Sequence, residues 1–146
     1  MPTLPSVDAS ALLVILAYFV LGYFFYASLY AAIGAMVSSE QEAQQAQAPI
    51  VFILIIPVAC MQLVANDPRG SAAELLTQIP FTAPFLMPMR YLLDGASLGS
   101  VVASLAILAA AIWLVTLLAA RIFRVGILMT GKRPSLRELW QWVRHP

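Results

Sequence analysis

The chain has 146 residues, 62% of them hydrophobic and only 10% charged, with a formal net charge of +1 and a mean hydropathy of +0.88. A water-soluble domain carries about 25% charged residues, so this composition belongs in a bilayer and leaves no room for a soluble domain. The near-neutral total hides an asymmetry: six of the eight basic residues (Arg121, Arg124, Lys132, Arg133, Arg137, Arg144) follow the last of three charge-free stretches, 9–39, 43–66 and 95–120.

Each stretch covers, or nearly covers, about 30 Å of hydrocarbon at about 1.5 Å per residue. The expected fold is therefore an all-α integral membrane domain over 1–146, with transmembrane helices at 10–37, 47–65 and 98–123. The basic cluster places the C-terminus on the cytoplasmic side, the N-terminus outside and the turn 38–47 inside. That turn carries Glu40 and Glu42 and no basic residue, but acidic residues weigh little in the rule. The basic cluster is accounted for by topology, and no nucleic-acid partner is expected.

The first span shows an aromatic stripe at helical spacing, Phe19, Tyr23, Tyr26 and Tyr30, and a separate small-residue stripe of Ala27, Ala31 and Ala35 where another helix can approach. The tyrosines fit packed or interfacial bulk; lining a cavity is the sharper alternative. Next, Ser39 and Glu42 have capping-box spacing and start the second helix, with Glu40 and Glu42 at the positive end of its dipole. Gln44, Gln45 and Gln47 read as a solvated helix face or as a contact surface for a cytoplasmic partner. Pro49 and Pro57 are expected to bend this span, and Cys60, the one cysteine, lies within it, so no intrachain disulfide is possible.

The turn 66–70 (NDPRG) leads to a second capping-box spacing, Ser71 with Glu74, and a short helix stopped by Pro80. The run 79–90 (IPFTAPFLMPMR) has three prolines at four-residue spacing and no charge before Arg90. Proline removes a donor and clashes with the preceding turn, so one continuous helix is not expected here. Apolar but broken backbone is tolerated at membrane depth where protein buries it or where it lines a cavity. Residues 71–94 are thus expected to form a re-entrant helical hairpin; the competing reading is a surface loop resting on the lipid interface. Its second helix, from about Pro84, is expected to be closed by Gly95, with Arg90 and Asp94 spaced to pair.

In the third span Ser100, Ser104 and Ala111 are spaced to share a packing face. Residues 126–133 approach a phosphate-binding loop, but Arg133 stands where a hydroxyl is required and a membrane helix precedes it, so nucleotide binding is rejected. Ser135 and Glu138 have capping-box spacing and open an amphipathic interfacial helix at 135–144, with Leu136, Leu139, Trp140 and Val143 on one face and Arg137, Glu138, Gln141 and Arg144 on the other. The single histidine, His145, is next to last, and neither a metalloprotease motif nor a nucleophile elbow occurs. No cofactor, metal or catalytic residue is expected.

Three stretches in this order, 30–45 (YAAIGAMVSSEQEAQQ), 79–84 (IPFTAP) and 121–133 (RIFRVGILMTGKR), carry a resemblance. The chain resembles the C-terminal half of an ABC-2 type exporter permease, of the branch that includes sodium-efflux permeases. The resemblance implies six spans per permease, two permeases per exporter and a separate ABC ATPase on the cytoplasmic face of a prokaryotic plasma membrane. This chain would supply spans four to six, part of the translocation path and the outer gate. That gate would comprise Pro80, Phe81, Pro84, Phe85, Pro88, Arg90 and Asp94; the ATPase-facing loop would be Ser39, Glu40, Glu42 and Gln45. Expected partners are the ATPase, the missing N-terminal permease half, a second permease copy and the lipid bilayer. The alternative is a stand-alone small membrane protein acting as an oligomeric pore or assembly factor.

Overall fold

A computed structural model describes residues 7–128 and 136–144; Lys132, Arg133 and the cap at Ser135 lie outside the described residues. Six helices follow in order: α1 (Ala9–Gly34), α2 (Glu40–Asn66), α3 (Ser71–Gln78), α4 (Ala83–Leu92), α5 (Leu98–Leu128) and α6 (Leu136–Arg144), with no strand among the described residues. Three of them, α1, α2 and α5, are long and apolar enough to cross a membrane.

Local chemistry sets the ends. Asp8 caps α1 by accepting from the Ala11 amide at 3.0 Å. Ser39 caps α2 by accepting from the Glu42 amide at 3.2 Å, and the Glu42 carboxylate accepts from the Ser38 amide and hydroxyl at 3.1 and 3.0 Å. α2 runs on through Pro49 and Pro57. The expected box at Ser71 and Glu74 does not form. Gly70 occupies the cap position in extended backbone, without a side-chain bond, and Ser71 is already the first helical residue.

α1 and α5 run in the same direction and form the main seam, with Tyr18 donating to the Val101 carbonyl at 3.2 Å and Ser28 bonded to Thr116 at 3.2 Å further along. α4 lies in the middle of the assembly and touches α1, α2, α3 and α5. One core joins Tyr18, Phe25, Ala83, Met87, Val101 and Leu108; a smaller one joins Val64, Ala73 and Leu86. Outside these cores the long helices present Phe19, Phe52, Val58 and Trp113 outward, which is costly in water and ordinary against lipid.

Candidate functional site: the α3–α4 hairpin and its seat

The proline run builds a tight helical hairpin. α3 stops at Gln78 because Ile79 turns extended ahead of Pro80 (φ −73°, ψ 128°), and α4 restarts at Ala83 with Pro84 in its first turn, where a missing amide costs nothing. The buried Thr82 holds the turn: its hydroxyl donates to the Leu76 carbonyl, and the Thr82 and Ala83 amides donate to the Ile79 carbonyl at 3.1 and 2.8 Å. At 8 and 10 residues, the arms are about 12 and 15 Å long at about 1.5 Å per residue, each short of a crossing.

The turn and α4 are seated on α1. The Phe81 ring meets Phe25 edge-on at 5.2 Å, and the Phe81 carbonyl accepts from the Tyr26 hydroxyl at 2.6 Å. Pro84 rests directly on Gly22, and at the far end of α4 the Tyr91 hydroxyl is 3.0 Å from that of Ser10. Leu86 and Met87 are fully buried and serve as packing; Pro84, Phe85 and Pro88 instead line a groove of about 570 Å³ with Phe19, Tyr23 and Tyr30 of α1. The aromatic stripe is therefore a groove wall, with Phe19 and Tyr23 exposed and Tyr26 half-buried.

Arg90 is the unexpected residue. It is 4% exposed, and no ion pair links it to Asp94. Its Nε donates to the Pro68 carbonyl at 2.7 Å, and its Nη1 donates to the Thr77 hydroxyl at 3.1 Å and the Ser100 hydroxyl at 3.2 Å. The pair fails because Asp94 is past the helix end. Its backbone is left-handed (φ 54°), its amide donates to the Tyr91 carbonyl, and the Gly95 amide donates to the Arg90 carbonyl, which is the Schellman pattern. Thus Asp94, and not Gly95, supplies the left-handed residue that ends α4. A turn residue in that conformation no longer shares a helix face with the residue four before it.

The polar cluster continues through residues that sequence reasoning did not single out as site residues. Ser104 donates to the Thr77 carbonyl at 2.8 Å, Thr77 donates back to Ala73 at 2.8 Å, and the Gln78 amide donates to the Ser100 carbonyl and hydroxyl at 3.2 and 3.1 Å. The Gln78 Oε1 is buried without a partner. Ser100 and Ser104 were legible as one helix face; that they meet Thr77, Gln78 and Arg90 was not, because those partners come from two other helices. The inner-turn candidates lie apart from this site: Glu40 and Gln45 are exposed, and Ser39 and Glu42 form the α2 cap.

Comparison with known proteins supplies the class. Residues 4–121 match the family model described as ABC-2 family transporter protein. The chain is 33% identical over 124 residues to an uncharacterized protein of Methanocaldococcus jannaschii, covering 85% of this chain and 31% of that one. It is 26% identical over 141 residues to YhaP, an uncharacterized protein of Bacillus subtilis, covering 97% and 34% respectively. The chain thus spans about a third of the length of the curated relatives it matches. No solved structure matches it significantly. With three membrane-spanning helices, an all-helical fold and a family match over nearly its whole length, the chain belongs to the ABC-2 transporter family.

Proposed function

We propose that this chain is a permease segment of an ABC-2 type ATP-driven exporter, contributing part of the translocation path and a re-entrant outer seal. ATP hydrolysis would reside on a separate ATPase, and the N-terminal permease half and a second permease copy would complete the path. The N-terminus faces outward and the C-terminus the cytoplasm of a prokaryotic cell, as the basic cluster requires. One observation carries the seal. The hairpin tip bonds to Tyr26, about 24 Å along α1 from Ser10 at about 1.5 Å per residue, although neither arm is long enough to cross.

Arg90 ties α4 to α3, to the turn before it and to α5, whereas the seat on α1 is mainly apolar. Movement of the seal is therefore expected along the α1–α4 seam, where Pro84, Phe85 and Pro88 face the tyrosines across the groove. Ser39, Glu40, Glu42 and Gln45, on the inner turn, are where an ATPase would be felt.

The test is accessibility in the assembled exporter. Cysteines replacing Phe81 and Phe85 should be shielded at rest and react with an impermeant reagent from outside during ATP turnover. Uniform reactivity, independent of turnover, makes the hairpin an ordinary surface element. For orientation, Ser6→Cys should label from outside and Ser135→Cys only after permeabilisation; labelling of both from one side removes the three-span topology. An ATPase that co-purifies with the chain separates this reading from a stand-alone pore.

A further inference from the structure

α6 is amphipathic in sequence, but the structure divides its faces differently from the simple apolar-versus-polar split. Trp142 and Val143 are half-buried, while Arg137, Trp140, Gln141 and Arg144 are exposed together, Trp140 at 71%. These four positions, three and four apart, form one stripe along the helix. The exposed tryptophan therefore sides with the arginines. Between Arg137 and Arg144 lie two helical turns, about 10 Å.

The stripe is anchored to the end of a membrane span. Arg121 of α5 donates from Nη1 to the Val143 carbonyl at 2.7 Å, in the last turn of α6, where helix carbonyls have no intrahelical partner. Arg121 is the first charged residue after the charge-free stretch 95–120, so its bond holds α6 at the end of the span, where hydrocarbon gives way to headgroups. Arg121 and Arg124 are exposed at that same level. Arg137 and Arg144 thus flank one exposed indole, two further arginines lie on the adjoining end of α5, and Glu138 is the one acidic residue after Asp94.

We propose that Arg137, Trp140, Gln141 and Arg144 form a headgroup site for an anionic phospholipid, with Arg121 and Arg124 adding positive charge at the same end of α5. Charge complementarity and depth both select this occupant. A guanidinium grips a phosphate through two parallel donors. Tryptophan settles where an apolar ring meets a polar boundary. Basic residues next to the end of a span are drawn to anionic lipid over distances of the Debye length. The lipid would fix α6 against the bilayer and so hold the inner end of α5. The site rests on α5 crossing the membrane and is independent of any export activity, so its failure leaves the exporter reading intact.

The test uses the full chain with Trp113→Phe and Trp142→Phe, which leaves Trp140 as the sole tryptophan. It is reconstituted in vesicles containing equal fractions of phosphatidylcholine and phosphatidylglycerol, with one or the other brominated near the headgroup end of its chains. Brominated phosphatidylglycerol should quench Trp140 several-fold more than brominated phosphatidylcholine. Arg137→Gln or Arg144→Gln alone should reduce the preference, both together should bring it to about equality, and it should shrink with salt. Equal quenching by the two lipids, or a preference that survives the double replacement, overturns the site. Absence of quenching by either lipid places Trp140 away from the bilayer and overturns the site as well. Because the tryptophan replacements alter α5 and α6, a second measurement uses the native tryptophans. Mass spectrometry from detergent should find phosphatidylglycerol retained on the parent chain and lost from the double arginine variant; equal retention by both counts against the site.

Discussion

Gly22 and Pro84 meet so closely that a Cβ on Gly22 would sit 2.7 Å from the Pro84 Cβ, closer than side chains tolerate. The absence of a side chain at one position of α1 therefore sets how deeply α4 can seat, and with it the fit of the Phe81 turn against Phe25 and Tyr26. Gly22→Ala should destabilise the chain by about 1–3 kcal/mol through overpacking, and Gly22→Leu by more. Gly34 has nothing within 4 Å of the equivalent position, so Gly34→Ala should be neutral or slightly stabilising. Thermal unfolding of the purified variants in detergent checks the contrast; equal effects at both glycines would remove the close seam as its cause.

Arg90 donates to three neutral acceptors and to no carboxylate. Arg90→Ala should cost about 2–4 kcal/mol, since charge-assisted bonds are lost and the buried Thr77 and half-buried Ser100 hydroxyls are left with fewer partners. Neutralising Asp94 in the same chain should give no rescue, because the two do not pair; a rescue measured in a double-mutant cycle would show a pairing that this geometry lacks. Asp94→Val should be destabilising by itself, since a β-branched residue resists φ 54°, while Asp94→Gly should be tolerated.

The inner cap separates charge from structure. Ser39→Ala removes the oxygen that accepts from the Glu42 amide and should cost about 1 kcal/mol, with faster amide exchange in the first turn of α2. Glu42→Gln keeps acceptors for Ser38 and should cost less. In the exporter proposed above, a loss of coupling with Glu42→Gln but little loss of stability would assign the charge to a contact with the proposed ATPase. Intact coupling together with no ATPase crosslink at Glu40 would leave the turn as a cap.

Asp8 is held below its ordinary value of 3.8, first by the Ser10 hydroxyl and then by the Ala11 amide. A depressed carboxylate binds its proton more readily in the unfolded chain, so its stabilisation is complete above pH 3.8 and is lost as pH falls through the lower folded value. Fraying at the start of α1, read by amide exchange of Ser10 and Ala11, should therefore set in below pH 3.8. Asp8→Asn retains a capping oxygen and should flatten that dependence. The same pH profile in both proteins would assign the fraying to another group.

Charge-free stretches, capping spacings and the proline run were sufficient for the all-α membrane class, because they depend on residue period and on chemistry within a few positions. The cap at Ser39 was legible for that reason: donor and acceptor are three residues apart. The box at Ser71 had the same spacing and failed, because Gly70 took the cap position. Spacing also paired Arg90 with Asp94, but the chain left the helix before Asp94, and the guanidinium found Thr77 and Ser100. Which hydroxyl completes a buried arginine depends on where α3 and α5 lie around α4, and residues 13 and 10 positions away meet only once these helices pack. The groove has the same origin. The aromatic stripe of α1 was readable as a stripe, but only the seating of Pro84 on Gly22 makes it one wall of a cleft.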